Sequence, residues 1–160
     1  MSDQQAVFVK MALNAWDSYI NRADKLFSSL SDAELKKEVA PGKNRAVYLL
    51  GHLVAVNDGI IPIFALGERL YPQLEALYVS KPDRSGQEEI PIAQLREYWA
   101  KVNETLSNYF SQMQPEDWFK RHTLMTDEDL VKEPHRNKLS VLINRTNHVA
   151  WHYGQVLLVK

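Results

Sequence analysis

Through most of this chain apolar residues recur every three or four positions, and three polar stretches bearing proline or glycine interrupt them. That period belongs to amphipathic helices and leaves no segment reading as a strand. The first helix is expected over Asp3 to Leu30. Phe8, Met11, Ala12, Ala15, Trp16, Tyr19, Ala23, Leu26 and Phe27 share its apolar stripe, and Ser2 with Gln5 resembles a capping box. A turn with a short helical piece follows from Ser31 to Pro41-Gly42. The second helix should run from about Asn44 to Asp58, with a break where Gly59 weakens it and Pro62 cannot donate to the Asp58 carbonyl.

Pro62 to Ile90 carries Pro72, Pro82, Gly67 and Gly86, which suits a long connection with one short helix. Pro91 fits the first turn of a third helix whose stripe is Ile92, Leu95, Trp99, Val102, Leu106, Tyr109 and Met113. A polar segment from Gln114 to Asn137 leads to the last helix, Lys138 to Val159. Four amphipathic helices imply an all-α four-helix bundle, one domain over residues 1–160. The long second connection permits a crossover in place of simple up-and-down wiring. The last helix is apolar on most sides, so it should be buried on most sides, by its own bundle or by a second subunit.

Composition narrows the function by exclusion. The net charge is -1 and the basic residues are scattered, which gives no phosphate-neutralising stripe for nucleic acid. Neither a glycine-rich phosphate loop nor a Gly-x-Ser-x-Gly elbow is present. Cysteine is absent, which removes thiolate ligands. No apolar stretch is read as reaching the roughly 18 residues of a membrane span. The first residues lack the basic and apolar regions of a secretory signal, so the cytoplasm is the expected location.

The candidate chemistry lies in histidines. His148 and His152 stand four apart in the last helix, one turn apart on one face, and His52 sits in the apolar run of the second helix. Three neutral imidazoles from two packed helices would hold a divalent metal and leave a position for water or substrate. The spacing alone decides little, since shuffling five histidines yields His-x-x-x-His about one time in eight. Each of the three also reads as a hydrogen-bonded core residue, although such apolar positions normally take Leu or Val. His122 and His135 lie in polar connections and read as solvated surface. Asp58, six residues after His52, is a helix-end acid, a partner to a ligand or surface. Tyr48 is core packing or a hydroxyl supporting the site.

The order of these features resembles the DinB/YfiT-like metalloenzyme family. It runs from Gly51-His52-Leu53 in helix two to Asn147-His148-x-x-x-His152-x-Gly154-Gln155 in the final helix. The similarity covers almost the whole chain, and the second segment is its most specific part. The resemblance implies an up-down-down-up bundle, a homodimer, and a zinc or nickel ion held by His52, His148 and His152. Tyr153 stands where members often carry arginine, so a role for that side chain does not transfer. The wider superfamily includes thiol-dependent S-transferases, which implies a metal-dependent enzyme acting on a small molecule such as a low-molecular-weight thiol. Two alternatives stay open. One is a metal-dependent hydrolase with Asp58 as candidate acid or base, and the other is a non-catalytic dimeric bundle with a structural metal. Catalytic residues are not assigned, and neither nucleic acid nor membrane is an expected partner.

Overall fold

Helix α1 spans Asp3–Ser29 and turns one stripe inward, through Val9, Trp16, Ala23, Leu26 and Phe27. This is the computed structural model of the chain, describing residues 3–86 and 88–160, so Ser2, the expected cap, lies outside the described residues. A single turn, α2 (Asp32–Leu35), follows with a full capping box. The Ser31 hydroxyl accepts from the Glu34 amide at 3.2 Å, and the Ser31 amide donates to the Glu34 carboxylate at 2.8 Å.

Helix α3 (Ala46–Asp58) has eleven of its 13 residues buried, and only His52 and Val56 keep partial exposure. Leu49, Leu50 and Leu53 are almost wholly inaccessible, each contributing about 1.5–3 kcal/mol of burial. The expected break falls at Gly59, after which α4 (Ile60–Ile63) adds one turn. Together they make Ala46–Ile63 an 18-residue segment long and apolar enough to cross a membrane, which corrects the expectation that none exists. In the fold 78% of that segment is buried inside the bundle, where it forms the core helix. The short helix of the long connection is α5 (Gln73–Tyr78).

Helix α6 (Ile92–Gln112) begins just after Pro91 and buries Leu95, Trp99, Val102, Leu106 and Phe110. Trp118, on a 3-10 turn at Pro115–Phe119, closes the lower core against Phe64 and Phe110. The polar segment also holds a helix the periodicity does not predict, α7 (Asp127–Lys132), nucleated by Thr126 and Asp129. Helix α8 (Lys138–Val156) is capped by Asn137, whose side chain accepts from the Ser140 amide at 3.1 Å, and ends in a 3-10 turn at Leu157–Val159.

Polar contacts between element ends fix the wiring. The Arg96 guanidinium at the start of α6 donates to the Phe27 and Leu30 carbonyls at the end of α1. Lys37 reaches the Val159 carbonyl, and the Ala46 amide donates to the Lys37 carbonyl. The end of α1, the start of α3, the start of α6 and the end of α8 therefore share one pole. At the other pole, Lys138 at the start of α8 donates to the Phe64 carbonyl after α4, at 2.9 Å. Helices α1 and α8 thus run up and α3 and α6 run down, the up-down-down-up order. Helix α8 keeps an open side within this chain, where Trp151 is 69% exposed and Ile143 faces out, and Leu158 of the 3-10 turn that follows is exposed too.

One close approach positions the site. A Cβ on Gly51 would lie 2.5 Å from the Tyr78 ring, so only glycine lets α5 press its tyrosine onto α3. Tyr78 is buried and its hydroxyl accepts from the Ile90 amide, so the ring is held. Gly51→Ala is expected to lower stability by about 1–3 kcal/mol through overpacking. Urea unfolding would show this as a lower midpoint at unchanged slope, and a wild-type midpoint would mean that the tyrosine yields freely.

Candidate metal centre

His52 enters from α3, and His148 and His152 from successive turns of α8. The three offer ligand atoms within 4.8 Å of one another. Their Nε2 atoms converge: His148 Nε2 lies 3.1 Å from that of His52 and 3.0 Å from that of His152. The opposite edges of two rings are tied down. His52 Nδ1 sits 2.8 Å from the Tyr78 carbonyl, which can only accept, so Nδ1 carries the proton and Nε2 a free lone pair. His152 Nδ1 sits 2.7 Å from Gln155 Oε1, with the same consequence. His148 Nδ1 is buried without a partner.

Hydrogen bonding alone leaves this cluster unsatisfied. A proton on His148 Nε2 can serve one neighbour well, not both, and Nδ1 would then be a buried acceptor with no donor. A proton on Nδ1 instead leaves three lone pairs facing each other. Either state carries the cost of unpaired buried polar atoms. A cation at the common point resolves it by accepting all three lone pairs. The spacing fits: with metal–nitrogen bonds of about 2.0–2.1 Å, ligand nitrogens lie about 2.9 Å apart at right angles and about 3.3 Å apart at tetrahedral angles. The observed separations of 3.1 and 3.0 Å fall between those values.

Electrostatics keep the rings ready as ligands. Burial pushes His148 down from 6.5 to about 4, helped by the charges of His152, His52 and Arg145. Burial is also the main cause lowering His52 and His152. All three are neutral near pH 7, the form that binds metal. On the α8 side the centre opens into a cleft of about 360 Å³ lined by Asn144, Arg145, Asn147, His148, Trp151 and His152.

The structure thus brings together His52, His148 and His152 and places the other candidates elsewhere. Asp58 is fully buried, and its carboxylate accepts from the Leu70 and Tyr71 amides at 2.8 and 2.9 Å, so it ties the loop after α4 to the end of α3. The Tyr48 ring stacks on His52, but its hydroxyl donates to the Lys81 carbonyl at 2.7 Å, away from the centre. Tyr153 packs edge-on to Tyr19 between α8 and α1. His135 is exposed as expected. His122 is not surface: it is 8% exposed, because the segment after the 3-10 turn folds back and the Thr123 amide donates to the Ile63 carbonyl. The position of Gln155, three after His152, is legible in the motif, though not its role; nothing local in the sequence marks Tyr78 or Arg145.

The sequence profile of the DinB superfamily matches residues 15–157, and the chain belongs to that superfamily. No functionally curated protein matches it in sequence. Among solved structures, it is similar to one described as the conserved protein of locus from Enterococcus faecalis. The two share 15% identity and a TM-score of 0.64, over 94% of this chain and 93% of that one. At that identity the likeness speaks for the fold.

Two outcomes follow from this geometry. The folded metal-free protein resists protonating His148 down to about pH 4, whereas the unfolded chain takes up that proton near 6.5. The share of stability linked to this group is therefore fully present above about pH 6.5 and is lost progressively as pH falls toward 4. Thermal melts of metal-free protein across that range should show a falling Tm, and a flat profile would refute neutral burial. Asp58→Ala should lower the Tm, because the Leu70 and Tyr71 amides lose their buried acceptor, yet leave metal stoichiometry unchanged. Lost stoichiometry in folded variant protein would place Asp58 at the centre after all.

Proposed function

We propose that this chain binds a divalent metal through the Nε2 atoms of His52, His148 and His152 and serves as a metal-dependent enzyme acting on a small molecule. The observation that carries the proposal is the meeting of three lone-pair nitrogens from two helices, two of them with the far ring nitrogen already engaged. When bound, such an ion supplies a Lewis acid with coordination positions left for a substrate atom. Zinc and nickel both suit imidazole donors. Tyr78 and Gln155 orient the rings, and the cleft supplies access from solvent.

Among reactions, transfer chemistry on a low-molecular-weight thiol is the reading we favour, carried over from the superfamily resemblance. A hydrolase needs a general acid or base near the ion. Asp58 is committed to two backbone amides, and Glu75, the acid whose charge reaches His52, is held by Arg69 at 2.9 Å. A purely structural metal is disfavoured by the open cleft at a three-ligand site.

Titrating metal-free protein with zinc, read by elemental analysis, should reach near one ion per chain and fail in His148→Ala. Unchanged stoichiometry in that variant refutes the centre. Gln155→Leu should weaken zinc binding roughly 10- to 100-fold, the usual effect of removing a ligand's hydrogen-bond partner. Panels of thiol acceptors and esters, assayed with metal-loaded protein, separate transferase from hydrolase.

A further inference from the structure

Beside the three histidines stands an arginine, Arg145, that forms an ion pair with no carboxylate among the described residues. We propose that Arg145 anchors a carboxylate on the small molecule that this centre takes. The inference rests on the metal-centre reading above and extends it to the class of substrate.

Arg145 lies three residues before His148, one turn away on the same face of α8, and lines the cleft. Its Nε is buried without a hydrogen-bond partner, and among the described residues no carboxylate comes within ion-pair distance. Apart from Arg22, which is exposed and lies over the Tyr19 ring, the other arginines are served. Arg45 pairs with Asp83 and Glu89, Arg69 with Glu75, Arg84 with Glu38, Arg121 with Asp127 and Arg136 with Glu133. Arg96 donates to two helix-end carbonyls. A guanidinium does not shed its proton, so a partly buried and unpaired one carries a desolvation cost that an incoming anion relieves. Burial and the nearby charge of Arg69 both press against its charged form, and the charge of Glu75, itself paired with Arg69, offsets them only in part.

The ion adds to this imbalance. Three neutral imidazoles contribute no negative charge, so a divalent metal would bring two positive charges into the region already occupied by Arg145. The influence of Arg145 extends to both His52 and His148. An anion lying between arginine and metal relieves both. The planar guanidinium fork matches a carboxylate with two parallel hydrogen bonds. Asn144 and Asn147 line the same cleft with neutral amides, and the exposed ring of Trp151 offers a face for the apolar part of the molecule. A small carboxylic acid, its acid end on Arg145 and its reacting end toward the Nε2 cluster, fits that arrangement.

Calorimetric titration of the full chain, metal-free and zinc-loaded, with 3-mercaptopropionate and with 3-mercaptopropionamide tests this. The amide keeps the thiol and loses the charge. The wild type should prefer the acid by roughly tenfold, the scale of a charge-assisted pair. Arg145→Gln should bind the two alike, and Arg145→Lys should recover part of the preference. Equal affinities in the wild type, no binding of the acid to either form, or an undiminished preference in Arg145→Gln overturns the assignment. The wild-type comparison needs no variant, so it stands even if a substitution impairs folding. Zinc stoichiometry on the same samples separates the two readings. One zinc per chain without acid preference removes the arginine's role and spares the metal centre. An Arg145-dependent preference in protein that takes up no zinc does the reverse.

Discussion

Helix α3 has almost no solvent face, and its polar side chains must find partners inside the protein. That constraint organises the molecule. Asp58 gathers the Leu70 and Tyr71 amides and so turns the chain back toward the bundle. Asn57 donates to Asn103 of α6 at 3.1 Å, a polar tie between the two descending helices. His52 gives one ring edge to Tyr78 and the other to α8. A leucine at position 52 would fill the space with no such demands; the histidine has its Nδ1 answered by Tyr78 and leaves its Nε2 lone pair facing the point shared with α8.

Much of this was legible in the chain, for physical reasons that differ from place to place. Helical period locates α1 and α6 within a few residues, because each carries a stripe facing a single core, and α8 shows through a broader apolar surface at the same period. For α3 the period was weak and the apolar run itself was the signal, since a helix surrounded by α5, α6 and α8 needs no polar side. Helix α7 leaves no periodic trace because it buries nothing and rests on its cap. The polar neighbours of His122 suggest surface, whereas its burial goes with the contact of the adjoining Thr123 with Ile63, some sixty residues earlier, that no local pattern encodes.

At the centre, types and spacing named the three histidines, but their convergence depends on how α3 and α8 cross. The supporting groups split the same way. Gln155 is local, on the same helix as the ring it holds. The Tyr78 carbonyl is twenty-six residues from His52 and arrives there only because Gly51 has no side chain. Backbone acceptors of this kind leave no trace in residue identity, and the glycine is their only written mark.

The two ring supports therefore differ in how they can change over generations. Whatever residue occupies position 78, its peptide oxygen persists, so drift at that site cannot directly release the imidazole of α3. The amide at position 155 enjoys no such insurance, and one codon change removes it. If relatives diverge in how tightly they grip an ion, the variation should concentrate on the α8 side of the cluster, leaving the α3 side as its fixed reference.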